Sequence, residues 1–117
     1  MTDNLVFLYG WGPEEEGRLS SMLYLTETSS ALNTETNVFL FTDAAILAKK
    51  GILKKLSEEI ETRFQKNLID KRVRFYVCEE AARKRGITKE TIEEGFVIAG
   101  YATFLDMALS AKTVITI

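Results

Sequence analysis

The chain has 117 residues, of which 46% are apolar and 27% charged, a composition typical of one soluble globular domain. Its formal net charge of −2 predicts no long-range attraction to nucleic acid or to an anionic membrane. The sequence has no histidine and one cysteine, which excludes a Ser-His-Asp triad, a Cys-His pair, histidine-containing metal sites and an internal disulfide.

Two further absences bear on location and on bound groups. No apolar run approaches the roughly 20 residues that a membrane span requires. The start, Met-Thr-Asp-Asn, lacks the basic residues and the long apolar core of a secretory signal. We therefore expect a cytoplasmic protein that contacts neither membrane nor nucleic acid directly, and we expect no metal and no cofactor.

Five short apolar runs follow one another at regular spacing along the chain. They are residues 5–9, 37–42, 73–78, 96–100 and 113–117. Continuous apolar character in the first two runs is typical of strands that are covered on both faces. Arg74 interrupts the third run, which indicates a strand nearer the edge of a sheet.

The segments between these runs favour helices. Residues 18–35 and 101–112 each place apolar residues on one helical face, and residues 42–68 divide at Gly51 into a short helix and a longer one that begins near Ile52. Alternating strands and helices predict right-handed β-α-β units. The expected fold is α/β: a single domain, residues 1–117, with three α/β/α layers and a five-stranded, mostly parallel sheet whose strand order the pattern leaves open.

The carboxyl ends of parallel strands are where ligands bind in open α/β sheets. In this chain those ends are residues 9–17, 42–45, 78–81 and 100–103. The side chains and backbone that we predict to line a pocket there are Gly10, Trp11, Asp43, Glu79 and Tyr101. Cys78 belongs to the same set by its position at the end of the third run.

The first of these loops contains several glycines, but it does not favour a nucleotide. Gly10 and Gly12 match the start of a dinucleotide-binding fingerprint, whereas Glu15 occupies the third glycine position. Three consecutive acids, residues 14–16, would also repel a phosphate group. At the second loop we interpret Asp43 as the N-cap of a helix.

Cys78 allows two interpretations from the residues alone. Free cysteine is among the most buried residue types, which favours a structural role. A short helix from Glu79 to Arg85, ended by Gly86, would instead place the thiol at a helix N-terminus on the site edge of the sheet. Because Glu79 and Glu80 oppose the helix dipole, the sequence predicts no strongly acidic thiolate.

A family resemblance favours the functional role. The strand ending in Cys78, the short helix, "RKRGI" and the closing segment "GFVIAGYATFLDMALSAKTVITI" resemble the DsrE/DsrF sulfur-relay family. The segment "NVFLFTDAAILAKKG" is similar to that family's second strand and following loop. The resemblance implies a small α/β protein that forms homotrimers or hexamers. It also implies that Cys78 is a sulfurtransferase-type carrier, which accepts a persulfide sulfur from a donor protein and passes it to an acceptor protein.

Two alternatives remain beside the carrier hypothesis. One is a non-catalytic oligomeric module that binds a small molecule at the strand ends and in which Cys78 only packs. The other is a one-cysteine peroxidase or redox sensor, which the flanking acids disfavour. Under the carrier hypothesis we expect the thiol to be accessible from a pocket, and we expect residues 83–85 to serve the far end of the short helix.

Overall fold

The computed structural model describes residues 4–117, which form five strands, four α-helices and two 3₁₀ segments. The strands are β1 (Asn4–Tyr9), β2 (Glu35–Leu40), β3 (Val73–Cys78), β4 (Phe96–Ala99) and β5 (Thr113–Thr116). The α-helices are α1 (Glu16–Ala31), α2 (Glu58–Ile69), α3 (Glu79–Lys84) and α4 (Tyr101–Ser110), and the 3₁₀ segments are Thr42–Ala48 and Leu53–Lys55.

The strands form one sheet in the order β4-β3-β2-β1-β5, and every neighbouring pair is parallel. This confirms the predicted α/β fold with a five-stranded parallel sheet. β3 lies one strand in from the edge, and Arg74 is exposed because it points to a sparsely covered face of the sheet. The strand order itself follows from pairings between distant segments, which no local pattern reveals.

The segment between β2 and α2 differs from its prediction. The longer helix was expected to begin near Ile52, whereas α2 begins at Glu58. Gly51 has a left-handed φ of 90°, and Ser57 caps the helix by accepting a hydrogen bond from the Ile60 amide at 3.4 Å. The apolar spacing before Ser57 therefore belongs to a 3₁₀ turn that buries Leu53 and not to a longer helix.

One face of the sheet, here called the first face, carries an aromatic core. Phe75 and Phe96 are register partners on it, and Phe64 of α2 packs on both, with ring centroids at 5.2 and 5.8 Å. The core also contains the fully buried α1 residues Leu19 and Met22. Two helices thus cover the first face.

The opposite face, here called the second face, has one helix on it. Phe104 of α4 packs on Phe39, with ring centroids 4.8 Å apart. None of the ten residues of α4 is buried, and Val97 and Val114 on this face are 56% and 43% exposed. No helix within residues 4–117 combines the length and the apolar character needed to cross a membrane.

Candidate functional site

The carboxyl ends of the central strands meet at one edge of the sheet. Tyr9 is the register partner of Leu40, and Cys78 is the register partner of Ala99. The loops that follow these four residues lie side by side because parallel strands end at the same edge. The loops that contain the predicted site residues therefore lie at the carboxyl edge of the sheet, as the sequence analysis predicted.

Cys78 is the last residue of β3 and the N-cap of α3. Its side chain points to the second face, which it shares with Tyr76 and Phe39. The expectation that the thiol is accessible is wrong for this chain, since Cys78 is 2% exposed. Tyr101, the first residue of α4, interacts electrostatically with the Cys78 side chain.

The contact between Tyr101 and Cys78 changes the acidity of the tyrosine. The hydrogen bond with the Cys78 sulfur is the main cause that raises the pKa of Tyr101, and the charge of the thiolate form, partial burial and Glu80 act in the same direction. The raised pKa keeps the Tyr101 hydroxyl protonated at neutral pH.

A small open cavity of about 190 Å³ lies beside Tyr101. Its lining residues are Thr42, Glu80, Ala81, Lys84, Arg85 and Tyr101. We call it the thiol-side cavity. Cys78 does not line this cavity. Glu79 was predicted to line a pocket, but its side chain is exposed outside the cavity, and the next residue, Glu80, lines it instead.

Two basic residues of the "RKRGI" segment face this cavity and not only the far end of the helix. Lys84 lies 3.9 Å from the Glu80 carboxylate, and Arg85 donates to the Asp43 carboxylate at 3.0 Å. Because α3 has only six residues, its last turn is close to its first, so side chains from its end reach the strand edge. Arg85 also donates to the Ala81 carbonyl at 3.2 Å, near the end of α3, so the expectation that these residues serve the far end of the helix holds for Arg85, which in addition faces the strand edge.

Asp43 does not cap a helix. Phe41 precedes the 3₁₀ segment at its N-cap position, and the Asp43 carboxylate accepts a hydrogen bond from Arg85 instead. This ion pair joins the loop after β2 to α3. Since the Asp43 side chain is 74% exposed, the pair orients Arg85 more than it stabilises the fold.

Thr42 is the site residue that the sequence analysis missed. Its φ of 50° is left-handed, a conformation that costs a β-branched residue energy and that occurs preferentially at functional sites. Its hydroxyl donates to the Gly10 carbonyl at 3.1 Å, which holds the first and second loops together. A side chain at Gly10 would meet this threonine, because a Cβ there would lie 3.2 Å from Thr42 Oγ1.

A second cavity, of about 470 Å³, adjoins the other side of Thr42. Its lining residues are Gly10, Trp11, Arg18, Phe41, Thr42, Asp43, Thr116 and Ile117. We call it the first-loop cavity. The Arg18 guanidinium stacks on Trp11 at 3.9 Å from the ring centroid, which combines an apolar wall with a positive charge. The fold thus divides the predicted pocket residues between two cavities.

Comparison with known proteins decides the family. A family model described as the DsrE/DsrF-like family matches residues 3–117. The chain belongs to the DsrE/DsrF-like family. This confirms the resemblance that the cysteine strand and the closing segment indicated.

The DsrE/DsrF-like chain is similar to a curated archaeal protein. MJ0760, an uncharacterized protein of Methanocaldococcus jannaschii, is 30% identical over 107 residues, which are 89% of this chain and 39% of that protein. The chain therefore spans about two-fifths of the length of this curated relative.

Two solved structures share the fold. YchN of E. coli superposes with a TM-score of 0.80 at 21% identity, with 100% of both chains covered. MTH1491 of Methanobacterium thermoautotrophicum superposes with a TM-score of 0.75 at 13% identity, with 98% of this chain and 99% of that chain covered. At these identities the superpositions show a common fold for this DsrE/DsrF-like chain and nothing about its chemistry.

Within residues 4–117, no three cysteine, aspartate or glutamate side chains converge as a metal site.

Proposed function

We propose that this protein is a sulfur-relay carrier, in which Cys78 accepts a sulfur atom as a persulfide and passes it to a partner protein. One observation carries the proposal: the single cysteine of a DsrE/DsrF-like chain lies at the carboxyl end of β3, and Glu80 and Ala81, which follow it closely in α3, line a cavity. The family includes sulfur-relay members. The donor and the acceptor would be separate proteins, because the chain has no second cysteine.

The proposed transfer needs no oxidant or reductant. The Cys78 thiolate attacks the outer sulfur of a donor persulfide, R–S–SH, so that a new S–S bond forms at Cys78. The S–S bond of the donor breaks, and the donor leaves as a thiolate. Delivery repeats the step with the acceptor thiolate as the attacking group. Such exchange resembles thiol–disulfide exchange, which does not require a strongly acidic thiol or a histidine base.

The surroundings of Cys78 suit the anionic form of the product. Lys84 and Arg85 place positive charge on the thiol-side cavity, and Tyr101 offers a hydroxyl donor. Opposite charge and hydrogen bonding to an anion both favour the ionised form of a group. Each cation also has a carboxylate partner, so the cavity gains no large net charge that would trap the sulfur permanently.

Intact mass tests the carrier proposal. The protein is incubated with a cysteine desulfurase or a rhodanese and its sulfur donor, and its mass is recorded without reductant. We expect wild type to gain one sulfur atom per chain, and Cys78→Ser to gain none. Dithiothreitol should remove the atom as sulfide and become a cyclic disulfide. Wild type that stays unloaded with several competent donors, while a small alkylating reagent modifies its thiol, would contradict the proposal.

A second candidate function is favoured by a separate observation. Cys78 is 2% exposed, while the first-loop cavity of about 470 Å³ combines Trp11, Phe41 and the charge of Arg18. A non-catalytic module would bind a small molecule there and use Cys78 only for packing. Trp11 is the only tryptophan, so its fluorescence reports on this cavity. Under this function a ligand would still change the fluorescence in Cys78→Ala.

We also propose that copies of this chain cover the second face and form a homotrimer or a hexamer, as the family resemblance implies. The support is an apolar stripe on α4. Its members, Tyr101, Leu105 and Leu109, lie one helical turn apart and are 60%, 56% and 87% exposed. Exposed apolar surface of this kind marks association sites. Light scattering that shows a monomer at micromolar concentration would contradict the assembly.

The proposed location is the cytoplasm. A carrier with one unprotected thiol requires a reducing compartment, because an oxidising one would convert the thiol to a mixed disulfide. Fractionation of cells that express the protein with a small tag tests this part of the proposal.

A further inference from the structure

The first-loop cavity has a wall made of a stacked aromatic–cation pair. The Arg18 guanidinium lies 3.9 Å from the centroid of the Trp11 ring. Arg18 is in the first turn of α1 and Trp11 is in the loop before it, so one short segment forms the pair. Phe41, the residue after β2, adds a second aromatic side chain to the lining. Stacking orients the planar guanidinium beside these apolar walls.

The hydrogen-bond donors of Arg18 are not taken up by the part of the chain that the structure describes. Its ion pair is with Glu15, whose carboxylate lies 3.9 Å from Nε, beyond hydrogen-bond distance. Both side chains are about half exposed, so water weakens this attraction. A guanidinium binds a carboxylate through two parallel hydrogen bonds from its planar fork. The terminal nitrogens of Arg18 can therefore hold a carboxylate in the cavity.

The charges of the lining favour a ligand with a single negative charge. Among the described residues that line the cavity, Arg18 is the one cation and Asp43 is the one carboxylate side chain. Arg85, which lines the other cavity, donates to Asp43 at 3.0 Å and compensates its charge. The acids 14–16 follow Trp11 in the same loop and would repel a doubly charged phosphate.

We propose that the first-loop cavity binds a small aromatic monocarboxylate, with Trp11 and Phe41 against the ring and Arg18 on the carboxylate. Its volume of about 470 Å³ lies within the range of small-molecule sites. The ligand class rests on the second candidate function, because it specifies what that module would bind. No residue of the apolar stripe on α4 lines the cavity, so the proposal does not require that stripe to be free.

The test uses the indole N–H signal of Trp11, which is the only tryptophan, in nuclear magnetic resonance titrations. The probes share one ring system: 2-naphthoate, the neutral 2-naphthamide and the dianionic 2-naphthyl phosphate. We expect 2-naphthoate to shift the signal saturably. The amide and the phosphate should bind at least about tenfold more weakly, because the amide lacks the charge-assisted hydrogen bonds and the acids repel the second charge.

Arg18 variants separate recognition of the carboxylate from packing. Arg18→Gln should weaken 2-naphthoate binding by about tenfold and change 2-naphthamide binding by less than about twofold. Arg18→Lys keeps the charge and loses the planar fork, so its loss of 2-naphthoate affinity should be intermediate. A purely structural role of Arg18 would weaken the acid and the amide equally, and that result would overturn the proposal.

Thr116 offers a matched pair of variants at a position outside the first loop. It is exposed at the end of β5 and lines the cavity. Thr116→Glu and Thr116→Gln introduce side chains of nearly the same shape that differ in charge. Thr116→Glu should bind 2-naphthoate at least about threefold more weakly than Thr116→Gln, because like charges repel, and both should bind the amide equally. Equal binding of 2-naphthoate by the two variants would place the carboxylate elsewhere and overturn the proposal.

The outcomes distinguish this inference from the proposed functions. Saturable binding of equal strength for 2-naphthoate and 2-naphthamide would overturn the choice of a carboxylate and leave the second candidate function standing. No saturable shift with any of the three probes would overturn both. Sulfur loading of Cys78 is measured separately by mass, and its failure would overturn the carrier proposal alone.

Discussion

Both faces of the sheet carry apolar strand residues, but helices bury the first face more completely than the second face. On the first face Phe64, Phe75 and Phe96 interlock with ring centroids 5.2 to 5.8 Å apart beneath two helices. On the second face one helix packs through Phe104, and none of the residues of that helix is itself buried. Cys78 lies on the second face. The comparison shows that the aromatic core of this fold lies on one face, while the cysteine lies on the face that a single helix covers.

The largest expected effect comes from the first face. Phe64→Ala removes a fully buried ring from the aromatic core and should lower the free energy of unfolding by about 3–5 kcal/mol. Urea denaturation with linear extrapolation measures the loss. A loss below about 1.5 kcal/mol is typical of substitutions near the surface, and it would contradict the view that the first face contributes more to stability than the second.

The corresponding change on the second face should be milder. Phe104 is half-buried and packs on Phe39, so Phe104→Ala should cost about 1–2 kcal/mol from lost apolar burial and one aromatic pair. Amide exchange should show that α4 opens more readily than α1 or α2 in wild type, and still more readily in this variant. Slow exchange throughout α4 in wild type would contradict a thin cover.

A buried tyrosine on the first face provides a further test of the comparison between the two faces. Tyr9 on the first face is 0% exposed, and no described residue hydrogen-bonds its hydroxyl. Tyr9→Phe should therefore raise the free energy of unfolding by about 1 kcal/mol at neutral pH. Tyr24→Phe, on the exposed side of α1, is the control and should change it by less than about 0.5 kcal/mol.

The same tyrosine predicts a pH dependence with a definite sign. Burial, followed by the charge of Glu15, raises the pKa of Tyr9 in the folded chain. The unfolded chain ionises this tyrosine near pH 10. Stability is therefore full below about pH 10 and falls above it, by up to about 1.4 kcal/mol per pH unit for this group. The advantage of Tyr9→Phe over wild type should grow above that pH, and an advantage that shrinks would contradict the assignment.

Substitution of Leu109 is expected to have the smallest effect on the fold of the chain. Leu109 on α4 and Ile69 on α2 are similarly exposed, at 87% and 81%, but only Leu109 lies on the proposed association surface. Both Leu109→Lys and Ile69→Lys should leave the circular dichroism spectrum unchanged, since neither side chain packs in the core. Light scattering should show a smaller assembly for Leu109→Lys alone. Equal effects of the two variants would place the association surface elsewhere.

Local sequence determined most of the elements and the edge at which the site lies. The short apolar runs end at residues that the fold brings to one edge, because parallel strands connected by helices must all end on the same side. This rule predicted the candidate site residues Cys78, Gly10, Trp11, Asp43, Glu79 and Tyr101. The helix boundary between Gly51 and Ser57 was predicted less well. The apolar residues there are spaced as in a helix, but they form a 3₁₀ turn, and the helix begins only after the capping residue Ser57.

The contacts between distant segments were decided only by the tertiary structure. The pairing of Arg85 with Asp43, the hydrogen bond of Thr42 to Gly10, and the interaction of Tyr101 with Cys78 each join segments more than 20 residues apart. The sequence by itself determined that this chain is an α/β protein with one cysteine at the end of a strand. That the thiol is buried is decided by the packing of segments distant in sequence, which no local pattern encodes.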